Sequence, residues 1–309
     1  MMKTASVCWA LLSLVACGPT IRDDDDGMGS GSGSGSGAGS GSGEARQCDK
    51  MDIVFVVDNS GSMAEEQSNL ASNFPMFASL LKSYTVSDGK PLDFRVALTT
   101  TGRTIDYQLD TGFGTLPQHE SGDNGTFLSS CSNPKRWLEP ADAMMEQTLA
   151  CRANVGTSGP SVEMPMLMSK WSLVERAADT NASFIRSDAL LAIVMITDED
   201  DQSTTDNNFT IDLTGTTPTN FNAQDEVNML DTLKGNRSRW AAAAIAGDGD
   251  CSSSFGSAAN AVRLKQFVQL ANGSGTTQAV FSSICDGDLT MGLKKALDTF
   301  QNACGAIIL

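Results

Sequence analysis

Two short apolar segments, each followed at once by polar residues, stand out in the chain. Residues 53–57 read IVFVV and precede DNSGS, and residues 190–196 read LLAIVMI and precede TDEDD. Runs of this length that are rich in Val and Ile are typical of strands buried on both faces of a parallel sheet. Ligands of open α/β sheets bind at the carboxyl ends of such strands, so both polar segments are predicted to lie at a binding site.

Strand and helix patterns alternate along the rest of the chain. Apolar residues recur at helical spacing over residues 65–83, and residues 93–101 (DFRVALTTT) read as another strand. Residues 102–134 are rich in Gly, Ser and Asn and show no clear period. Trp240–Ala246 is rich in Ala, but the alternation requires a strand there. The predicted fold class is therefore α/β, doubly wound, with a mainly parallel sheet.

The amino-terminal segment has the pattern of an export signal followed by a tether. Residues 1–16 contain one Lys and an apolar run too short to span a bilayer, which predicts a signal peptide. Their end resembles the lipobox of bacterial lipoproteins, in which Cys17 becomes the first mature residue and carries acyl chains. Ordinary cleavage near Ala16 is the alternative. Residues 17–46 continue as an acidic run and a Gly/Ser tract, which predicts a flexible linker.

Composition limits the classes of partner. The 309 residues, 40% of them apolar, are enough for one large domain or two small ones. With 21 basic and 37 acidic residues the net charge is −16, which disfavours nucleic acid and favours cations. A single His, His119, cannot supply a Ser-His-Asp triad or a His-rich zinc site. No segment indicates the oligomeric state.

Cysteine usage fits an oxidising compartment. Apart from Cys8 and Cys17, the chain has six cysteines, and an even number in an exported protein predicts three disulfides. No C-x-x-C pair indicates a thiol metal site. The sequence alone leaves 15 connectivities open. The six residues are Cys48, Cys131, Cys151, Cys251, Cys285 and Cys304.

The two acidic strand ends together resemble a known family. A D-x-S-x-S loop after one buried strand and a Thr-Asp after another are similar to the von Willebrand factor type A (VWA) domain, over residues 50–309. VVDNSGSM, TDEDD and SICD further resemble secreted bacterial VWA lipoproteins. The resemblance implies a Rossmann-like, six-stranded sheet in a domain at residues 47–309, with a disulfide-bearing insertion at about 102–152. It also implies a cell-envelope location, lipid-anchored at the outer membrane on its periplasmic or surface face.

The family's metal-ion-dependent adhesion site implies a set of ligands. By resemblance, the hydroxyls of Ser60 and Ser62 would bind a cation directly, and Asp58 and Asp198 would act mostly through water. Such oxygen ligands suit Mg²⁺, with Mn²⁺ or Ca²⁺ as alternatives.

The fifth ligand of the family, a Thr before a middle helix, has no clean match here. Ser161 and Glu163 are the candidates. Ser161 is favoured because a neutral hydroxyl keeps the ion electrophilic enough to recruit a carboxylate from a partner, whereas Glu163 would add a negative charge.

The implied fold also narrows the disulfide connectivity. It places Cys251 near Cys285 at the carboxyl edge of the sheet, and Cys131 and Cys151 around a short helix. Cys48 and Cys304 are then left to pair at the opposite edge. In animal type A domains that signal, the last helix slides when ligand binds. A Cys48–Cys304 bond would oppose that slide and give a site with one affinity.

The expected function is adhesion or interaction through a protein ligand that offers a carboxylate to the metal, without enzymatic activity. The membrane would be contacted through the lipid anchor only. One alternative is a metal-dependent hydrolase that uses the acidic cluster Asp198, Glu199, Asp200 and Asp201. Another is a structural envelope module with a vestigial metal site.

Overall fold

The computed structural model describes residues 48–86, 89–253, 256–273 and 277–306. The predicted signal peptide, Cys17 and the linker lie outside these residues. The strands are β1 (Lys50–Val57), β2 (Asp93–Thr100), β3 (Ile105–Asp110), β4 (Thr115–Glu120), β5 (Leu190–Ile196), β6 (Phe209–Ile211), β7 (Trp240–Ala246), β8 (Cys251–Ser253), β9 (Gly256–Ala258) and β10 (Ala279–Ser283). The helices are α1 (Ala64–Ser83), α2 (Met145–Ala153), α3 (Pro165–Lys170), α4 (Ala223–Lys234), α5 (Val262–Asn272) and α6 (Leu289–Ala306).

Five strands form the main sheet, in the order β10-β7-β5-β1-β2. All of its pairings are parallel, which confirms the predicted α/β class. The Ala-rich segment β7 is a fully buried strand, as the alternation required. Helix α3 ends at Lys170, where a π-helical turn, Trp171–Glu175, follows it. Among the described residues, no helix is both long and apolar enough to cross a bilayer.

The main sheet does not contain the expected sixth strand within the described residues. After β2 the chain instead enters a separate three-stranded sheet of order β4-β3-β6. Strand β3 pairs antiparallel with β4 and parallel with the distant strand β6. The predicted sheet size is therefore corrected from six strands to five, because the backbone groups of β3 are used by β4 and β6.

Helices cover both faces of the main sheet. Alternate residues of β1 point to opposite sides: Ile53 and Phe55 join a core with α1, α2 and α6, whereas Val54 and Val56 join a core with α3, α4 and α5. The ring of Phe55 lies edge-on to Phe74 of α1, with ring centroids 5.0 Å apart. This layered arrangement is the doubly wound architecture that the alternation predicted.

Three disulfides close loops in the domain: Cys48–Cys304, Cys131–Cys151 and Cys251–Cys285. These are the pairs expected from the resemblance. The first joins the residue two positions before β1 to the last turn of α6, and both of its cysteines are buried. The start of β1 and the end of the last helix are thereby tied covalently.

A buried ion pair holds the amino edge of the sheet. The backbone N–H and Nε of Arg186 donate to the carboxylate of Asp52 on β1, at 2.6 and 2.8 Å. Nη1 of the same guanidinium lies 2.8 Å from a carboxylate oxygen of Asp93 on β2. Asp52 is completely buried, so its charge depends on this partner.

We expect Arg186→Ala to lower the free energy of unfolding by about 3–5 kcal/mol, because it removes the cation that is hydrogen-bonded to the buried Asp52 carboxylate. Urea unfolding measures this loss. The matched double variant Asp52→Asn/Arg186→Met removes both charges and should lose much less. A loss below about 1 kcal/mol for Arg186→Ala, the value of an exposed pair, would contradict this role.

Candidate functional site

The candidate site forms where three neighbouring strands end. Backbone hydrogen bonds continue one residue past β2 and β1: Thr101 N–H donates to Val57 at 3.2 Å, and Asp58 N–H donates to Ile196 at 2.9 Å. Thr197 follows β5 directly. The parallel register therefore places the side chains of Thr101, Asp58 and Thr197 at one edge of the sheet.

Asp58 is the buried centre of this edge. Its Oδ1 accepts from the backbone N–H of Ser60 at 2.8 Å and from the Thr101 hydroxyl at 3.3 Å. Its Oδ2 accepts from the Thr197 hydroxyl at 2.7 Å. Gln67 of α1 donates to the Asp58 backbone carbonyl at 2.7 Å. Because both carboxylate oxygens already accept hydrogen bonds within the protein, Asp58 fixes the loop that carries the serines.

Three oxygen atoms converge beside this centre. The hydroxyls of Ser60 and Ser62 lie 2.9 Å apart, and the Ser62 hydroxyl donates to Oδ1 of Asp198 at 3.3 Å. Ser62 is exposed, whereas Ser60 and Asp198 are buried. The structure thus brings these three predicted ligands together, with one of them open to solvent.

The site carries an excess of negative charge. Burial raises the pKa of Asp198 to about 7, and the charges of Asp58, Glu66 and Glu199 add to this rise. The hydrogen bond from Ser62 acts in the opposite direction. Burial also raises the pKa of Asp58. A divalent cation would relieve this repulsion, because it stabilises the ionised form of every acid around it.

The two candidates for the fifth ligand lie in different surroundings. Ser161 is exposed, and its hydroxyl donates to Glu120 of β4 at 2.6 Å. Glu163 is buried, and its pKa is raised well above the usual range by burial and then by the charges of Asp58 and Glu199. Glu163 therefore responds to the charge of Asp58, whereas the Ser161 hydroxyl is engaged by Glu120.

The loop before α3 approaches the serine loop closely. The N–H of Gly159 donates to the Asn59 carbonyl at 2.7 Å, and a Cβ added to Gly159 would lie 2.0 Å from Oδ1 of Asn59. Only glycine permits this approach. Farther along the loop, the N–H of Met164 donates to the Thr101 carbonyl at 3.0 Å. These contacts hold Glu163 at the strand ends.

Two residues at the site were not singled out in the sequence. Thr101 and Gln67 donate hydrogen bonds to Asp58, but neither belongs to the D-x-S-x-S signal. Thr101 is the last of three consecutive threonines, and only the register of β2 against β1 shows which one faces Asp58. The position of Thr101 directly after β2, at the same edge of the sheet as Asp58, is the sequence feature that indicates its role.

Half of the acidic cluster has a structural role. The carboxylate of Asp200 accepts from the N–H of Arg263 at 2.9 and 3.0 Å, at the start of α5. Asp201 is fully buried, accepts from the N–H of Met166 in α3 at 3.0 Å, and pairs with the Arg263 guanidinium at 3.2 Å. Both acids therefore anchor helix starts.

The donor set of the site fits a hard cation only if the hydroxyls take part. Within the described ranges, no group of three or more His, Cys, Asp or Glu side chains is arranged to hold a metal ion. Ser60, Ser62 and Asp198 supply oxygen atoms only, which suits Mg²⁺, Mn²⁺ or Ca²⁺ and not a soft metal.

Comparisons with known proteins give likeness at the level of structure. No family model matches the chain, and a search of curated proteins finds no match. The chain resembles the pilus adhesin SpaC from Lactobacillus rhamnosus GG in its open conformation, at 13% identity and TM-score 0.45, over 83% of this chain and 31% of SpaC.

Two further solved structures are similar to the chain. Proximal thread matrix protein 1 from the mussel byssus, with a zinc-occupied MIDAS motif, matches at 13% identity and TM-score 0.42, over 84% of this chain and 47% of that one. Manganese-loaded TRAP from Plasmodium vivax matches at 12% identity and TM-score 0.36, over 80% and 73%.

These likenesses lie at 12–13% identity and at TM-scores between 0.36 and 0.45. The chain spans about a third of SpaC and about half of the byssus protein. At such low identities and TM-scores, no residue role is transferred from them. The roles of individual residues rest on contacts within this chain.

We expect Glu163→Gln to weaken Mg²⁺ binding by about tenfold or more, because it removes a buried acid whose ionised form a bound cation would stabilise. Ser161→Ala is the matched comparison, and it should change the affinity much less, because its hydroxyl is used by Glu120. Isothermal titration of both variants with Mg²⁺ measures the difference. A larger loss for Ser161→Ala would restore Ser161 as the fifth ligand.

Proposed function

We propose that this protein is an envelope-anchored VWA lipoprotein that binds one divalent cation and, through it, a carboxylate of a protein ligand. Mg²⁺ is the proposed ion, with Mn²⁺ or Ca²⁺ as alternatives. The observation that carries the proposal is the convergence of the Ser60 and Ser62 hydroxyls with the Asp198 carboxylate, braced by the buried Asp58.

The residues of the site would hold an ion and still leave it able to bind a carboxylate of a ligand. Ser60 and Ser62 would contribute neutral oxygens, and Asp198 a charged one. When bound, the cation supplies a positive centre that attracts a carboxylate. Ser62 is exposed, so a ligand can approach from solvent. Asp58 keeps the serine loop in place through its bonds with Thr101 and Thr197.

The hydrolase alternative is less well supported by the geometry. Its reaction would need carboxylates that are free to hold two ions. Asp200 and Asp201 are instead engaged at the starts of α5 and α3. The alternative of a structural module with a vestigial metal site differs from the adhesion proposal in one respect, because it predicts that the site binds no ion. We therefore propose a binding function and no enzymatic activity.

We expect Asp58→Ala to abolish Mg²⁺ binding and Mg²⁺-dependent capture of a partner while the domain stays folded, because the serine loop loses its brace. The matched control is Asp298→Ala, which removes an equal charge from the exposed face of α6. Titration with Mg²⁺ gives the number of ions per chain, and pull-down from bacterial envelope extracts with and without Mg²⁺ tests capture.

One ion per chain in the parent supports adhesion. Two ions per chain together with turnover of a phosphate ester would support the hydrolase instead. Unchanged ion and partner binding in Asp58→Ala would show that the adhesion site is wrongly placed.

The proposed anchor lies at Cys17, outside the described residues. Acyl chains on this residue would hold the protein at a membrane, since each buried methylene contributes about 0.8 kcal/mol. We expect Cys17→Ala to move the protein from the membrane fraction to the soluble fraction, as measured by fractionation and immunoblot. Cys8→Ala, within the predicted signal peptide, should stay membrane-bound. Unchanged retention of Cys17→Ala would mean that a partner, and not a lipid, anchors the chain.

A further inference from the structure

Exposed apolar side chains gather at the outer end of the small sheet. Nine large hydrophobic residues are exposed in the described part of the chain, and four of them lie at this end. We call this group the apolar tip, and it consists of Leu109, Phe113, Leu116 and Leu213. Phe113 is fully exposed and Leu213 is 67% exposed. A cluster of this kind marks a binding surface more often than scattered single residues do.

The apolar tip continues a face that is buried farther in. Leu109 lies opposite Leu116 on β4 and beside Ile211 on β6, so the three side chains share one face of the sheet. At the inner end of the same face, Tyr107 and Phe209 stack with ring centroids 5.7 Å apart, and both are buried. The sheet therefore extends beyond the core that covers its inner half.

The turn at the end of the hairpin holds Phe113 in place. The Thr111 hydroxyl donates to the Gly114 carbonyl at 2.8 Å, and the Gly112 N–H donates to Asp110 at 2.8 Å. Gly112 and Gly114 have φ angles of +75° and +146°, which only glycine adopts readily. The aromatic ring is thus presented on an ordered turn, which lowers the entropic cost of binding.

Charge around the apolar tip indicates the chemistry of its occupant. The sequence has no Lys or Arg between residues 104 and 134 or between residues 187 and 233, the two segments that build the small sheet. Asp110 and Asp212 flank the apolar residues. A partner with basic residues beside apolar ones is complementary. A second copy of this chain, at net charge −16, or an anionic lipid surface is repelled.

The outer edge of the hairpin limits how a partner can attach. Strand β4 is an edge strand with Pro117 in its middle. Proline has no backbone N–H to offer, so addition of a further strand at this edge is disfavoured. Docking is therefore expected through the side chains of the apolar tip.

The base of the hairpin contacts the loop before α3, which also carries Glu163. Glu120, at the end of β4, accepts from the Ser161 hydroxyl at 2.6 Å and from the Tyr107 hydroxyl at 3.1 Å. The six residues of β3 extend roughly 20 Å from this base to the turn. One protein ligand of ordinary size can span that length and contact both regions.

We propose that the apolar tip is a second contact surface for the protein ligand of the metal site, and that it takes a segment with apolar side chains flanked by Lys or Arg. The claim that both surfaces bind the same ligand rests on the proposed function. The claim that the apolar tip takes apolar side chains flanked by Lys or Arg is independent of the proposed function.

Peptide binding tests the chemistry without the natural partner. The probe is a synthetic peptide of alternating Lys and Leu, with a Glu and Leu peptide as its counterpart, measured by fluorescence anisotropy with the full domain. We expect Phe113→Ser/Leu116→Thr to weaken binding of the Lys and Leu peptide by about tenfold or more, because two anchor side chains are lost. Met144→Ser/Met291→Ser, which removes exposed apolar residues elsewhere, and Asp58→Ala should leave it unchanged.

Four outcomes would overturn the proposal. The first two are equal affinity of the parent and the apolar-tip variant for the Lys and Leu peptide, and binding of the Glu and Leu peptide as tight as that of the Lys and Leu peptide. The third is binding to phosphatidylcholine or phosphatidylglycerol vesicles that depends on the apolar tip. The fourth is a dimer in sedimentation that the apolar-tip variant dissociates. If Asp58→Ala still captures the envelope partner while the peptide result holds, the metal-dependent function fails and the apolar tip remains a separate surface.

Discussion

The candidate site depends on one buried carboxylate. Asp58 lies at the end of β1, between β5 and β2, and its two oxygens accept hydrogen bonds from the serine loop and from the threonines that follow these two strands. These bonds exist only because β2, β1 and β5 are parallel and adjacent, so that their carboxyl ends meet. The fold thereby converts a local D-x-S-x-S signal into a three-dimensional arrangement of oxygen atoms.

Local patterns predicted part of this arrangement, and non-local pairing decided the rest. The buried strands and the polar residues after them follow from hydrophobic periodicity, and the resemblance supplied Ser60, Ser62 and Asp198 as neighbours. The hairpin of β3 and β4 escaped prediction, because its apolar face is buried only at the inner end and Gly- and Ser-rich segments surround it. The pairing of β3 with β6, about a hundred residues later, has no signature in either segment.

Electrostatics explains why the choice of fifth ligand could not be made from sequence. A neutral hydroxyl at Ser161 would keep the ion attractive to a carboxylate of a partner. Burial is a property of the folded chain, and it raises the pKa of Glu163 together with the charges of Asp58 and Glu199. The bond between Cys48 and Cys304 adds a mechanical constraint at the opposite edge, because it fixes α6 relative to β1.

Anomalous diffraction from crystals grown with Mn²⁺ tests the central claim most directly. A single strong peak per chain is expected, about 2.2 Å from the hydroxyl oxygens of Ser60 and Ser62 and near the Asp198 carboxylate. Absence of a peak there at saturating Mn²⁺, or a pair of peaks between Asp200 and Asp201, would contradict a single-ion adhesion site.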